Sequence, residues 1–307
     1  MKKIIATIIL AASAGTAYAE IDLARYGFTQ KQITESISGI STAEFSDLAV
    51  KAADLKAMAA ISKGHVAGND PSAGVPTQPV EWITINGGTF TMGTDSGGDA
   101  KPIHEVAIKT FAMSKTDVTV EQYAECVIKG GCTEPATDYY CNWGKAGRQL
   151  HPVNCVNWNQ AKQYAKFKGA RLPSESEWEY AATSGGRNHK YPWGNDDPNC
   201  DKAVMYGPGG YACGADGTMP VCSKPAGNTA QGLCDMAGNV WQWVQDRYQN
   251  SYAGAPVDGS AFEGLGSHRV MRGGSFNDVA GSLRADFRYR EDPSVRYGID
   301  IGFRLAR

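Results

Sequence analysis

Alternating apolar and polar residues mark the start of the main folded region. The segment VEWITINGGTFTMGT alternates on both sides of Asn86-Gly87-Gly88, residues that favour a tight turn between two strands. A further strand pattern, HEVAIKTFAMSK, follows shortly afterwards. The pattern therefore predicts a β-hairpin centred on Asn86-Gly87-Gly88, with another strand behind it.

Three segments with the apolar spacing of helices follow, each with a start or stop signal. VEQYAECVIK comes directly after Thr119, which can form a capping box with Gln122, and Gly130 ends the pattern. NWNQAKQYAKFKG also stops at a glycine, while RLPSESEWEYAA is capped by Ser174 with Glu177 reaching back. These helices among many short strands and turns indicate an α+β fold.

Composition divides the chain into four parts. Residues 1–19 read as a secretory signal peptide, with two lysines, an apolar run and a small-x-small cleavage motif. Residues 20–63 have the spacing of short amphipathic helices, and residues 64–79, rich in Gly, Pro and polar residues, read as a linker. We therefore expect an exported protein whose main domain occupies residues 80–307.

Charge and apolar run length exclude two classes of interaction. The 30 basic side chains nearly balance the 32 acidic ones, for a net charge of −2, so the chain lacks the basic excess of nucleic-acid-binding proteins. After the predicted signal peptide, no run approaches the ~20 apolar residues of a membrane-spanning helix. We expect neither nucleic-acid binding nor a transmembrane segment, and a location in the periplasm or outside the cell.

All eight cysteines lie between Cys126 and Cys234. An even number of cysteines in a chain with a signal peptide favours disulfides. The competing interpretation is a thiolate metal site, but the sequence contains no CxxC motif. Neighbouring spacing suggests the pairs Cys126–Cys132, Cys141–Cys155, Cys200–Cys213 and Cys222–Cys234.

A series of short motifs runs through the main domain in a fixed order. They are GGTFTMGT, VTVEQY, HPVNCVNW, RLPSESEWEYAA, YPWGN, GLCDMAGNVWQW, RVMRGGSF and IGFRLAR. Together they resemble the formylglycine-generating enzyme (sulfatase-modifying factor) family over about residues 80–307. The resemblance implies the family's loop-rich variant of the C-type-lectin-like fold. The predicted helical segment at residues 20–63 lies outside it.

The resemblance also implies an active-site corner at RGGSFNDVAGSL, residues 272–283. Enzymes of the family oxidise a sulfatase cysteine with O2 and a copper(I) ion held by two thiolates that follow RGGS. This sequence has Asp278 and Leu283 at those positions, and it keeps Ser275, which lies near the reacting centre in the family. Copper(I) prefers sulfur ligands, so we expect neither copper nor formylglycine-generating activity. Asp278 is either a ligand of a different, oxygen-preferring metal or an ordinary solvated or capping carboxylate.

Other branches of the family include sulfoxide synthases and a periplasmic pyoverdine-maturation protein. The synthases bind iron through a histidine motif in an additional N-terminal domain. Residues 20–63 hold no histidine, and the predicted linker holds only His65. The histidines of the main domain are scattered, which is more typical of packing or surface roles than of an iron site.

A second resemblance concerns calcium. The segment CDMAGNVWQW resembles the family segment that surrounds a structural calcium ion, and the matching positions are Asp235, Gly238, Val240 and Gln242. Calcium accepts several carboxylate and carbonyl oxygens, so these residue types suit it. The alternative is that Asp235 caps a turn while the following residues direct the tryptophans into the core.

Two further residue groups are candidates for ligand contact. Arg284 and Arg288 follow RGGS closely and are expected to line a cleft with Ser275 and Asp278, unless they are solvated or paired. The tryptophans form either a stacking platform or core anchors. Those considered are Trp143, Trp158, Trp178, Trp193, Trp241 and Trp243.

Two functional hypotheses follow. The first is an exported binding or accessory module, a pseudoenzyme without copper oxidase activity that recognises a protein, a peptide or a small molecule. The second is an oxidoreductase of the broader family, with nonheme iron or another cofactor, acting on a protein or peptide-derived substrate. The presence of a bound redox metal separates them.

Overall fold

The computed structural model describes residues 78–95, 98–295 and 298–307. The predicted signal peptide, the helical segment at 20–63 and most of the predicted linker lie outside these residues. The described residues form three α-helices and eight strands, together with three short 3-10 helices at Tyr211–Gly214, Pro225–Gly227 and Ala280–Leu283. The α-helices and strands are β1 (Trp82–Ile85), β2 (Gly88–Met92), β3 (His104–Ile108), β4 (Phe111–Ser114), α1 (Val120–Ile128), α2 (Trp158–Phe167), α3 (Glu175–Ala182), β5 (Trp241–Arg247), β6 (Arg269–Arg272), β7 (Arg288–Glu291) and β8 (Ile301–Phe303).

The strands form three small sheets, and the remaining chain is mostly turns and loops. Strand β1 pairs with β4 and β2 pairs with β3, both antiparallel. The largest sheet has the order β7-β6-β5-β8, in which only β5 and β8 run parallel. This loop-rich arrangement confirms the predicted α+β class.

The predicted hairpin is wrong, because β1 and β2 pair with different strands. The chain at Gly87 passes close to the connection between β3 and β4. A Cβ atom on Gly87 would lie 2.3 Å from the carbonyl oxygen of Ile108, and the Gly87 amide donates to the Thr110 hydroxyl at 3.0 Å. Glycine is therefore required here for close backbone approach, and the local Asn-Gly signal does not fold β1 back onto β2.

The helix starts predicted at Thr119 and Ser174 are confirmed. Each side chain accepts a hydrogen bond from the third helical amide, while Gln122 or Glu177 returns a contact to the cap amide. Helix α2 has the same arrangement between Asn157 and Gln160. Such caps satisfy amides that have no partner within the helix, so these boundaries are fixed by neighbouring residues alone.

The main core lies between α3, the two small sheets and the large sheet. Trp178 of α3 and Trp243 of β5 are fully buried, and their ring nitrogens donate to Gln242 and to the carbonyl of Val156. Trp143, Trp158 and Trp241 are also buried. The interpretation of most tryptophans as core anchors is therefore the correct one.

All eight cysteines form disulfides, and no free thiol remains. The four pairs predicted from neighbouring spacing are confirmed, and the competing thiolate metal site is wrong. Four disulfides fit an exported protein. Among the described residues no helix has the length and apolar character needed to cross a bilayer. The pairs are Cys126–Cys132, Cys141–Cys155, Cys200–Cys213 and Cys222–Cys234.

Candidate functional site

The candidate site begins where strand β6 ends at the glycine pair of RGGS. Gly273 and Gly274 both have positive φ, at 97° and 70°. A Cβ atom on Gly273 would lie 3.2 Å from the Met236 carbonyl oxygen, and one on Gly274 would lie 3.0 Å from a methyl group of Leu283. The corner thus needs two residues without side chains, and Ser275 follows it directly in the chain.

Ser275 lies between two carboxyl groups. Its buried hydroxyl donates to Asp278 Oδ2 at 2.5 Å and lies 3.1 Å from Asp300 Oδ2. The Ser275 amide also donates to Asp278, at 3.0 Å, and the Asn277 amide donates to the hydroxyl. Asp278 and Asp300 are both partly exposed as residues. We call Ser275, Asp278 and Asp300 the serine–carboxylate cluster.

The surroundings of Asp300 raise the pKa of its carboxyl group. Burial raises the pKa of Asp300, the hydrogen bond from Ser275 opposes this, and the negative charge of Asp278 raises the pKa further. Among the described residues no histidine or lysine hydrogen-bonds Ser275, and the cluster therefore lacks the usual base of an activated serine nucleophile.

Leu283, at the second thiolate position, is a core residue. Its side chain is fully buried and packs with Tyr191, Met205 and Ala237. The first position, Asp278, offers oxygen, and every cysteine of the chain is in a disulfide. The residues present therefore do not fit a copper(I) ion. In the described part of the chain, no group of three or more histidine, cysteine, aspartate or glutamate side chains is arranged to hold another metal.

Arg284 was predicted to line a cleft with Ser275 and Asp278, but it does not join the serine–carboxylate cluster. Its guanidinium is paired with Asp286, to which its Nε donates at 2.8 Å. It lines a separate cavity of about 450 Å³, together with residues such as Phe90, Glu179 and His189. Because Asp286 is only two residues away, it pairs with Arg284 within the segment that connects β6 to β7.

The prediction that Arg288 lines the cleft is also wrong. The side chain is buried and donates to both carboxylate oxygens of Glu175, at 2.7 and 2.9 Å. Arg272 bridges Glu175 and Glu179, at 2.6 Å to each. Burial pushes the pKa of Glu175 upward, but the charges of Arg288 and Arg272 bring it below its usual value. These four side chains form a buried ion-pair network beneath the corner.

The four calcium positions lie together, and both polar side chains among them, Asp235 and Gln242, are engaged in hydrogen bonds. Gln242 Oε1 accepts hydrogen bonds from Trp178 and Arg304, and Gln242 Nε2 donates to the backbone carbonyl of Asp235. The Asp235 carboxylate accepts from the Cys222 amide. The adjacent positive charge is the fully buried Arg304 guanidinium, which also lies 3.6 Å from Asp117. Gly238 and Val240 would contribute backbone carbonyl oxygens, a kind of ligand that calcium accepts, so calcium binding at these positions stays a prediction.

Sequence reasoning missed Asp300, although it lies directly before the recognised IGFRLAR segment. The amide of Trp241, at the start of β5, donates to the Asp300 carbonyl at 2.7 Å. This bond lies beside the parallel pairing of β5 with β8, which brings residues far apart in the sequence together. The signal for Asp300 was therefore its position directly before the recognised IGFRLAR motif, not its residue type.

Comparison with known proteins gives a consistent relationship. The model of the FGE-sulfatase family, described as a sulfatase-modifying factor enzyme 1-like domain, matches residues 70–307. The formylglycine-generating enzyme of Streptomyces coelicolor is 30% identical, over 81% of this chain and 96% of that protein. The inactive C-alpha-formylglycine-generating enzyme 2 of Bos taurus is also 30% identical, over 66% of this chain and 78% of that protein.

Solved structures and longer relatives extend the comparison. The structure of PvdO from Pseudomonas aeruginosa is similar with a TM-score of 0.63 and 32% identity, covering 74% of this chain and 93% of that one. The serine/threonine-protein kinase Pkn1 of Chlamydia trachomatis is 32% identical over 76% of this chain, which spans only 39% of the kinase. On the family match and these relatives, the chain belongs to the sulfatase-modifying factor enzyme 1-like family.

Proposed function

We propose that this domain is an exported binding or accessory module that recognises its partner at the serine–carboxylate cluster and does not carry out copper(I)-dependent oxidation. One observation carries the proposal: the two positions for thiolate ligands hold a carboxylate and a fully buried leucine, Asp278 and Leu283. Because every cysteine is in a disulfide, none can move in as a replacement ligand.

The ligand chemistry explains why this substitution supports the proposal. A copper(I) ion bound by two thiolates needs soft, anionic sulfur on both sides, and neither oxygen nor a methyl group supplies it. What the corner retains is rigid geometry: two glycines, a buried hydroxyl and two carboxyl groups on partly exposed residues. Such a rigid, polar corner suits recognition, in which partner groups meet fixed hydrogen-bonding partners.

A second candidate function is oxidation with another metal or cofactor. It is favoured by the relationship to proteins named as enzymes, such as the formylglycine-generating enzyme of Streptomyces coelicolor. In this chain the oxygen donors for such a metal would come from Asp278 and Asp300. These two carboxyl groups, which both contact Ser275, would fill only part of a metal's coordination sphere, and other ligands would have to complete it.

Copper(I) titration tests the first proposal. The folded, oxidised chain is titrated without oxygen in competition with a chromophoric copper(I) chelator. We expect the chelator to keep the copper, because the folded chain offers no thiolate. The matched control is the same chain after reduction and unfolding, which exposes eight thiols and should remove copper from the chelator. Stoichiometric transfer of copper to the folded chain would refute the proposal.

A further inference from the structure

Exposed aromatic side chains lie on segments that hydrogen bonds and ring contacts link to the serine–carboxylate cluster. Exposed aromatic rings cost free energy in water, and a group of them on one surface usually indicates an interaction site. In the described part of the chain, each exposed large aromatic residue lies on a segment linked to the cluster. They are Tyr139, Tyr140, Tyr206, Tyr211, Phe287 and Tyr289, which we call the aromatic rim.

Two tyrosines adjoin the cluster through Asp278. The Tyr206 amide donates to the Asp278 carbonyl at 2.9 Å, and the rings of Tyr206 and Tyr211 lie edge to face, 5.4 Å apart. Tyr211 precedes Ala212, whose amide donates to the carbonyl of Phe276, the residue after Ser275. Tyr211 is 60% exposed although its backbone is held in place, so its ring is free to contact a partner.

The other rim residues adjoin the cluster through the segment that contains Asp300. The Asn154 side-chain amide donates to the carbonyls of both Tyr140 and Ile299, and the ring of Tyr140 lies 4.8 Å from that of Tyr139. On β5, the ring of Trp241 packs against Phe287 and Tyr289, and the Trp241 amide donates to the Asp300 carbonyl. All three aromatic pairs are thus attached to one corner.

The charge at the centre of the rim is negative and unneutralised by the described residues. No lysine or arginine among residues 78–95, 98–295 and 298–307 forms an ion pair with Asp278 or Asp300. By contrast, the nearby Arg284 is already neutralised by Asp286. An incoming cation therefore meets two carboxyl groups that form no ion pair with the described residues.

Tyrosine rings and carboxylates together suit one class of ligand group. The negative face of a tyrosine ring attracts ammonium and guanidinium groups, and its body packs against their aliphatic stems. The chain contains an example at the rim itself, where the Lys145 ammonium lies 5.4 Å from the centre of the Tyr139 ring. Tyrosine also provides rigid contact area at a low entropic cost, which favours peptide recognition.

We infer that the aromatic rim and the serine–carboxylate cluster bind a basic peptide segment, with a lysine or arginine head group at Asp278 and Asp300 and its stem against the tyrosines. This inference rests on the proposed binding function and adds the chemistry of the partner. Rigid tyrosines supply the contact area, and the two carboxyl groups select the charge. An acidic segment is excluded by repulsion from the same carboxyl groups.

Selection from a random-sequence peptide library tests the inference with the full chain. The immobilised chain is mixed with the library, and the bound peptides are identified by sequencing. We expect lysine and arginine to be enriched over aspartate and glutamate. A selected peptide should bind about tenfold more weakly to the D278N/D300N variant, a loss of ~1.4 kcal/mol. The matched control, E81Q/D258N, removes the same charge from exposed carboxylates elsewhere and should bind like the wild type.

A second variant guards against misfolding at the corner. Tyr211→Ala removes a mostly exposed ring that contributes little to the core. The variant should therefore keep the near-UV circular dichroism of the buried tryptophans while binding the peptide more weakly. No enrichment, enrichment of acidic residues, or equal binding by D278N/D300N and wild type would each overturn the inference. If acidic or uncharged peptides bind and Tyr211→Ala weakens them, only the partner's charge is wrong and the binding function stands. Copper(I) transfer in the preceding titration would instead remove the binding function itself.

Discussion

Reduction of all four disulfides is expected to unfold the domain. The bridges close loops with sequence separations of 6, 14, 13 and 12 residues. In the chain-entropy account each loop of this size contributes ~2–3 kcal/mol by restricting the unfolded chain. Their sum, about 10 kcal/mol, is comparable to the whole stability of a typical domain, ~5–15 kcal/mol. Because few residues lie in helices and strands, the long loops depend on these bridges together with their own hydrogen bonds.

Refolding with and without a reductant measures this effect. The chain is unfolded and reduced in urea, then returned to buffer, and near-UV circular dichroism reports the packing of the buried tryptophans. We expect the reduced chain not to regain the native signal. The graded control is C126S/C132S, which removes only the shortest loop and should cost ~2 kcal/mol while the chain still folds. A reduced chain with a native spectrum would show that the core alone sustains the fold.

Removal of Arg272 is expected to destabilise the domain by ~3–5 kcal/mol. The guanidinium is fully buried and neutralises Glu175 and Glu179. In Arg272→Met, Glu175 keeps Arg288, but Glu179 loses its only ion-pair partner in the described structure. A buried, unpaired carboxylate carries a large desolvation cost, which is why one missing partner outweighs the lost packing.

Urea unfolding as a function of pH separates electrostatics from packing. Burial already raises the pKa of Glu179, and loss of Arg272 raises it further. A carboxyl group whose pKa is raised by folding destabilises the protein at high pH, and this effect disappears at low pH, where the group is protonated in both states. The loss of stability in Arg272→Met should therefore shrink as the pH falls toward 5. Lys115→Met, which removes an exposed pair with Glu81, should cost less than ~1 kcal/mol. A deficit that is independent of pH would assign the loss to packing.

A double-mutant cycle of Arg272→Met and Glu179→Gln gives an independent check of the ion pair. Arg272→Met combined with Glu179→Gln removes both charges, and it should be more stable than Arg272→Met alone. The result would separate the pair with Glu179 from the pair with Glu175. If the loss of stability in the double variant equals the sum of the losses in Arg272→Met and Glu179→Gln, the two side chains do not interact energetically.

Features encoded by near neighbours could be predicted from the sequence. The capping boxes at Thr119 and Ser174 involve residues three positions apart, and the disulfides join cysteines that are adjacent in order. Both features join residues that are close in the sequence, so few alternative partners lie within reach. The α+β class followed from the same local patterns. Local chemistry therefore determined the framework of the fold.

Features set by distant contacts could not be predicted. The turn at Gly87 has the local signal of a hairpin, but the approach of Ile108, from a separate strand, determines the pairing. Arg288 follows RGGS closely in the sequence, yet Glu175, more than a hundred residues earlier, draws it into the core. A carboxylate partner at that distance leaves no periodic or spacing signal.

The candidate site shows the same division. Ser275 and Asp278 were recognisable because both belong to one short motif with a fixed spacing. Asp300 and the aromatic rim were missed, because their grouping depends on backbone hydrogen bonds between separate loops, such as the bond from Tyr206 to Asp278. In a loop-rich fold, most of a binding surface is assembled by contacts of this kind.

Metal analysis of the purified chain tests the central claim most directly. The chain is produced in an oxidising compartment, purified without chelators, and measured for copper and iron by mass spectrometry against its protein concentration. A binding corner without thiolate ligands predicts that both redox metals lie far below one per chain. Copper or iron close to one per chain would contradict the account and establish the oxidoreductase alternative as the better description.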